Sequence, residues 1–191
     1  MMTEIEKRLH DYWERRGVDY YVPDVFGRRI VAAYLVKIHP QSLVDVGCGS
    51  GELFSGFQKI PRVVGLDWSS EMLKRANERI ARHGYINIAT QQLDITKEAY
   101  PMKFEVALTR TVLMHIPEPS LTDACKNLAK MSDHLVLMEY FNPTEDVKLD
   151  WHNFHHDYVG LFRGLDYELI DSYDRPDGIH QILFHFQRKT T

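Results

Sequence analysis

Two cysteines in a chain of 191 residues, Cys48 and Cys125, are too few for a disulfide framework, so the fold is expected to rest on its core in a reducing compartment. No run approaches the roughly 18 apolar residues of a membrane span, so no membrane association is expected. The amino terminus, MMTEIEKRLHDYWERRG, is polar and amphipathic and lacks a secretory core. These absences place the protein, as an expectation, in the cytoplasm. Neither sign of charge dominates. With 23 Lys and Arg against 27 Asp and Glu, the formal charge is −4, which gives no electrostatic reason to expect nucleic acid. No repeat, low-complexity tract or Ser/Gly linker divides the chain. What is present is ordinary for a globular domain: 44% hydrophobic and 26% charged residues. The length suits one domain that buries roughly 70% of its unfolded surface. Nothing in these numbers sets the oligomeric state.

Thr3 and Glu6 match a capping box, after which Ile5, Leu9, Tyr12 and Trp13 fall on one helical face. Gly17 ends that helix. Pro23-Asp24 can start a second, with Phe26, Ile30, Ala33 and Lys37 on one face and Pro40 as its stop. From Ser42 onward the pattern changes. Short apolar runs at 43–46, 62–66, 86–89, 104–108 and 134–141 alternate with amphipathic stretches. One stretch follows Ser69 or Ser70 and carries Met72, Leu73, Ala76 and Ile80. Another follows Pro119 and carries Leu121, Ala124, Cys125 and Leu128. Such alternation predicts a mainly parallel sheet with helices on both faces. Two further strand-like runs, 167–173 and 181–187, flank Asp-Arg-Pro-Asp-Gly and predict a terminal antiparallel hairpin. The expected fold is therefore α/β: a Rossmann-like, doubly wound, mostly parallel seven-stranded sheet closed by a carboxy-terminal hairpin. The chain reads as one domain over 1–191. It has a helical lead (1–40), a core (42–141), an insert with a helix (142–165) and the hairpin (166–191).

The segment Leu43-Val44-Asp45-Val46-Gly47-Cys48-Gly49-Ser50-Gly51 runs from a strand into three glycines at alternate positions. Such glycines let the backbone turn sharply and approach a ligand closely. The spacing is G-x-G-x-G, whereas the dinucleotide fingerprint is G-x-G-x-x-G. Glu52 stands where the third dinucleotide glycine belongs, and a pyrophosphate would meet its carboxylate. Asp45, inside an apolar strand end, is costly to bury without a partner, and an ammonium group suits it better than a phosphate. Asp67 ends the next strand. An acid about 20 residues beyond the glycine loop is the group nucleoside-binding sheets use for ribose hydroxyls.

On these residues the chain resembles the class I S-adenosylmethionine-dependent methyltransferases. The resemblance runs from about Tyr12 to the carboxy terminus and is strongest over 43–73. It implies that Asp45, Gly47, Cys48, Gly49 and Gly51 wrap the methionine part of the cofactor. It implies that Asp67 holds the ribose, flanked by Trp68 and Met72. In Gln92-Leu93-Asp94-Ile95, it implies that Asp94 accepts from the adenine amino group and Ile95 donates its backbone N–H. It implies that Phe104-Glu105-Val106-Ala107-Leu108-Thr109 is the fourth strand, followed by an active-site loop at 110–115, with Thr109 and Arg110 at the cofactor. Early aromatics are similar to those covering the cofactor in many small members, with Tyr12 and Tyr20 on the cofactor and Tyr21 toward the acceptor. Glu105 departs from the Asp most often found in the fourth-strand motif. Arg110-Thr111-Val112 carries no Asn/Asp-Pro-Pro-Tyr, which disfavours amino groups of adenine or glutamine as acceptors.

Other signals leave alternatives open. His115 is either a general base near the acceptor or a histidine that fixes its loop. His152, His155 and His156, placed on a helix, would share one face. They could form a metal cluster, a substrate pocket or interface, or a polar surface, and no metal site is assigned. His155 and His156 are taken with His115 as substrate-side residues, because insertions after the fifth strand lie over the ligand-binding strand ends. Trp151, Phe154, Tyr158 and Phe162 read as core first and acceptor pocket second. Cys48 reads as a loop filler rather than a nucleophile.

The resulting expectation is methyl transfer from S-adenosylmethionine to a small-molecule acceptor by direct in-line displacement. Such chemistry depends chiefly on positioning and needs a base only for a protonated acceptor. The rivals are a non-catalytic methyltransferase-fold binding protein and an enzyme acting on protein or nucleic acid. A nicotinamide enzyme is more distant.

Overall fold

The computed structural model describes residues 3–16, 24–141, 150–177 and 179–190. The chain divides into two compact units, Met1–Asp94 and Ile95–Thr191.

The first unit begins with α1 (Glu4–Arg16), closed by a capping box. Glu6 N–H donates to Thr3 Oγ1, and Thr3 N–H donates back to Glu6 Oε2. Leu9 is the buried side chain of α1, while Ile5 stays exposed, so the expected apolar stripe is only partly used. In α2 (Val25–Ile38) the Asp24 carboxylate caps the start by accepting from Gly27 N–H. Its inward face is Gly27, Val31 and Leu35 rather than the expected Phe26, Ile30, Ala33 and Lys37. Phe26 is left exposed. The helix also comes close to the turn at Gly56, where a Cβ would lie 2.9 Å from Ala32 Cβ.

Strands β1 (Ser42–Val46), β2 (Arg62–Asp67) and β3 (Ile88–Gln92) pair in parallel around β2, aligning Val44 with Val64 and Val64 with Ala89. Between β2 and β3 lies α3 (Ser70–His83). It starts where Ser69 Oγ accepts from Met72 N–H and stops at Gly84 in the left-handed region. Strand β3 begins two residues later than the apolar run 86–89 suggested. The Asn87 amide donates to the Phe57 and Ile60 carbonyls and holds that residue in the connection, leaving Ile86 fully exposed.

The second unit contains β4 (Phe104–Arg110), α4 (Ser120–Met131), β5 (Ser132–Tyr140), α5 (Tyr158–Arg163), β6 (Tyr167–Asp174) and β7 (Gln181–Arg188). β4 and β5 are parallel, while β7 runs antiparallel to both β5 and β6. The hairpin predicted from Asp-Arg-Pro-Asp-Gly is therefore present, and its turn is tied by Arg175 donating to the Asp177 carboxylate and to Gln181 Oε1. In α4, Leu121, Ala124, Cys125 and Leu128 are all buried, as their spacing requires. Overall the strand order is β3-β2-β1-β4-β5-β7-β6, a seven-stranded mixed sheet of the doubly wound α/β type. Among the described residues no helix is long and apolar enough to cross a membrane.

The core carries an energetic irregularity at Tyr158. The hydroxyl of Tyr158 is buried with no hydrogen-bond partner among the described residues. A buried, unmatched hydroxyl costs about 1–3 kcal/mol. Tyr158→Phe should therefore leave the melting temperature unchanged or raise it. A drop of several degrees would mean that the hydroxyl has a stabilising partner.

Candidate functional site

In the first unit the chemistry gathers at the carboxy-terminal ends of β1 and β2. Gly47, Gly49 and Gly51 all adopt positive φ, at 73°, 54° and 74°. That run of left-handed conformations explains the three alternating glycines. The loop is tied to β2 by Gly47 N–H and Cys48 N–H, which both donate to the Leu66 carbonyl at 2.7 and 2.9 Å. Gly51 is needed for packing, since a Cβ there would lie 2.5 Å from the Phe54 ring. Gly49 differs: a Cβ there would meet nothing within 4 Å. Its backbone faces open space, as a close-approach site for a ligand requires. Glu52 anchors the loop, taking Arg28 from α2 on one oxygen and Arg79 from α3 on the other. Arg79 also donates to the Ser50 carbonyl at 2.9 Å.

Asp67 is buried, and each of its oxygens meets a backbone donor. Oδ2 accepts from Gly49 N–H at 2.8 Å and Oδ1 from Ser69 N–H at 2.9 Å. The acid thus shapes the glycine loop as well as the start of α3. Burial raises its pKa to about 6 despite these donors. Asp45 is buried at the end of β1. Burial, then Asp67 and Asp45, push the Cys48 thiol up and keep it protonated, which does not favour a nucleophile. α1 packs over this end of the unit. His10 stacks edge-on against Trp68 at 5.3 Å, and Glu14 accepts from Ser70 N–H at 2.9 Å. Tyr12 is on the same helix, with its hydroxyl taking Arg16 Nε at 3.0 Å. Met72 lies in the first turn of α3, and the half-buried Asp94 follows β3. Tyr20 and Tyr21 lie outside the described residues.

In the second unit Ile95 is buried, and its carbonyl accepts from the Asn127 amide at 2.8 Å. Thr109 is buried near the end of β4 with its hydroxyl donating to Glu139 Oε1 at 2.8 Å, and Arg110 follows. The next residues make a 3-10 turn, Leu113–His115. There the His115 ring nitrogen Nδ1 lies 2.8 Å from the His152 carbonyl oxygen. A carbonyl only accepts, so Nδ1 carries the proton and Nε2 is left with the lone pair. The His115 and His152 rings stack at 5.2 Å.

The three histidines after β5 do not share a helix face, contrary to the expectation. Asp157 caps α5 by accepting from Gly160 N–H, so that helix starts only at Tyr158. The preceding residues form an irregular strap laid along the turn. Phe154 N–H donates to the Met114 carbonyl at 2.8 Å, and His156 Nε2 lies 3.0 Å from the Ile116 carbonyl. His156 is buried in this strap, whereas His155 is half-buried beside the Tyr140 ring at 5.8 Å. Among the described residues no three His, Cys, Asp or Glu side chains are gathered to hold a metal ion.

Glu139, which sequence reasoning missed, is buried at the end of β5 and accepts from the Thr109 hydroxyl and the Val112 and Met114 amides. The clue was available: like Asp45, it is an acid closing an apolar strand. The Arg28–Glu52–Arg79 anchor was also missed, because the three residues lie far apart in the chain.

Burial lowers the His115 pKa from 6.5 to about 4. Because the folded value is the lower one, its stabilising contribution is fully present above 6.5 and is lost as pH falls through about 4. Nitrogen-15 spectra of histidine-labelled protein should show the His115 ring neutral at pH 5, protonated at Nδ1. A ring already charged at pH 5 would contradict the buried, Nδ1-bonded geometry.

Residues 41–154 match a family model described as a methyltransferase domain. A ubiquinone biosynthesis O-methyltransferase of Albidiferax ferrireducens is 30% identical over 134 residues, covering 68% of this chain and 53% of that protein. The chain thus spans about half the length of the curated relatives it matches. Among solved structures, magnesium protoporphyrin IX methyltransferase of Synechocystis with bound S-adenosylhomocysteine superposes with a TM-score of 0.77 at 18% identity, covering 96% of this chain and 99% of that one. The N-methyltransferase NodS of Bradyrhizobium japonicum, also with S-adenosylhomocysteine, superposes at 0.73 and 16% identity, covering 95% and 99%.

Proposed function

Because the chain belongs to the class I S-adenosylmethionine-dependent methyltransferase family, we propose that it is an enzyme that methylates a small-molecule acceptor with S-adenosylmethionine. The observation that carries this reading is the positive-φ glycine loop bonded to Asp67 through Gly49 N–H. The residues present fit that cofactor. Open backbone at Gly49 would admit the methionine part, and the buried Asp45 carboxylate suits an ammonium group. Asp67, already held by two backbone donors, offers the ribose hydroxyls a carboxylate. Trp68, Met72, Asp94 and Ile95 would complete the adenosyl side, with Tyr12 and Tyr20 in the covering lead. We read residues 1–191 as one methyltransferase domain acting in the cytoplasm.

When bound, S-adenosylmethionine supplies an electrophilic methyl carbon on a sulfonium. The chain's own task is to hold the acceptor in line and, for a protonated acceptor, to take its proton. His115 suits that second role, since burial keeps the ring neutral and its Nδ1–H is spent on the His152 carbonyl. Arg110 would reach the cofactor, and His155 and Tyr21 would line the acceptor side. His156 supports it from below through the Ile116 carbonyl, and the Thr109 hydroxyl, spent on Glu139, serves the same turn.

Calorimetry should show binding of S-adenosylmethionine or S-adenosylhomocysteine and little of NAD. The reverse preference would overturn the assignment. Hydroxyl donors favour the ionised acid, so affinity should fall about tenfold per pH unit below about 6, the value to which burial raises Asp67. Asp67→Ala should cost about 1.5–3 kcal/mol of cofactor binding and abolish that pH dependence. Once an acceptor has been found by screening for S-adenosylhomocysteine release, His115→Ala should lower turnover while leaving cofactor affinity intact. Unchanged turnover would return His115 to a loop-fixing role.

A further inference from the structure

Glu139 is fully buried at the end of β5, where an acid is costly unless donors meet it. Three donors do, all from β4 and the turn that follows it. The Thr109 hydroxyl donates at 2.8 Å, Val112 N–H at 3.0 Å and Met114 N–H at 3.2 Å. That turn is strained. Thr111, a β-branched residue, sits at φ 54°, a conformation such residues avoid unless their surroundings impose it. His115 N–H donates to the Val112 carbonyl at 2.9 Å, so the backbone that carries the imidazole is one turn beyond the strained residue. From the opposite side the strap holds the same turn through the His152 and Met114 carbonyls. The turn is over-determined: on the strand side it is held by the Glu139 carboxylate and by Thr111 N–H donating to the Met138 carbonyl at 2.9 Å.

We propose that Glu139 is a positioning residue: it holds the strained turn after β4 so that His115 keeps its Nδ1–H on the His152 carbonyl. This rests on the reading that His115 faces the methyl acceptor, and it extends that reading to a residue that touches no substrate. The role is geometric rather than electrostatic. A Gln side chain has nearly the same shape. Its carbonyl oxygen can accept from Val112 and Met114, while its amide donates to the Thr109 oxygen, which can reverse its own hydrogen bond. An Ala leaves both amides without an acceptor, and an Asp is one methylene too short to meet all three donors.

The test is nitrogen-15 spectroscopy of histidine-labelled protein without ligand, together with hydrogen exchange at the Val112 and Met114 amides. Wild type and Glu139→Gln should share one His115 signature, protonated at Nδ1, with both amides protected. Glu139→Ala should shift the His115 ring toward a mixture of tautomers and raise exchange at both amides at least tenfold, with amide spectra elsewhere in the fold unchanged. Should the Ala variant fail to fold, Glu139→Asp provides the same readout in milder form, with a mixed His115 signature in an intact protein. An unaltered His115 signature in the Ala or Asp variant would overturn the proposal, as would a Gln variant that behaves like Ala. None of these readings needs a cofactor or an acceptor. Loss of the methyltransferase reading would show instead as absent S-adenosylmethionine binding in the wild-type protein.

Discussion

A carboxylate buried at the carboxy-terminal end of a parallel strand has to be met by donors, and the nearest donors are the backbone amides of the connections that leave the sheet there. Both units use this constraint. In the first, Asp67 collects Gly49 N–H and Ser69 N–H. In the second, Glu139 collects Val112 N–H, Met114 N–H and the Thr109 hydroxyl. Each acid dictates the path of a loop from an adjoining or neighbouring strand. An unpaired buried carboxylate would shift its pKa or unfold its surroundings, so the loop shape and the acid are one feature.

The two clusters differ in what they leave available. The glycine loop is shaped by three positive-φ residues and anchored at Glu52 by two arginines, yet Gly49 opens onto free space. It is rigid where it meets the protein and open where a ligand would lie, the arrangement that preorganised binding requires. The turn after β4 is closed on two faces, by Glu139 and by the histidine strap, which fixes one ring and one tautomer. The strain at Thr111 is the local cost of that closure.

The pH behaviour follows from the same burial. Desolvation penalises whichever form is charged, so it raises Asp67 and lowers His115. The native state therefore keeps the acid protonated longer and the base neutral longer than the unfolded chain does. The two contributions to stability run in opposite directions across weakly acidic pH.

Read from the sequence alone, the chain already disclosed most of the fold and the glycine-loop part of the candidate site. Strand and helix alternation, the Asp-Arg-Pro-Asp-Gly hairpin, the Ser69 cap and the G-x-G-x-G loop are local signals, carried by periodicity and backbone preference within a few residues. Asp67 was legible because strand-end acids at that distance from a glycine loop have a chemical reason to exist. Decisions made by contacts between distant segments were not legible. The α2 helix buries Gly27, Val31 and Leu35 rather than its expected stripe, and it brings Ala32 close to Gly56. The histidine segment became a strap instead of a helix, because the Asp157 cap fixes where α5 starts and the Met114 and Ile116 carbonyls offer partners some forty residues away. Glu139 gained its role only when β5 was laid beside β4, which brought its carboxylate under amides nearly thirty residues earlier in the chain. The sequence by itself determined which residues could turn, cap and alternate. Tertiary structure alone decided which buried charge met which donor, because that depends on proximity that no local pattern encodes.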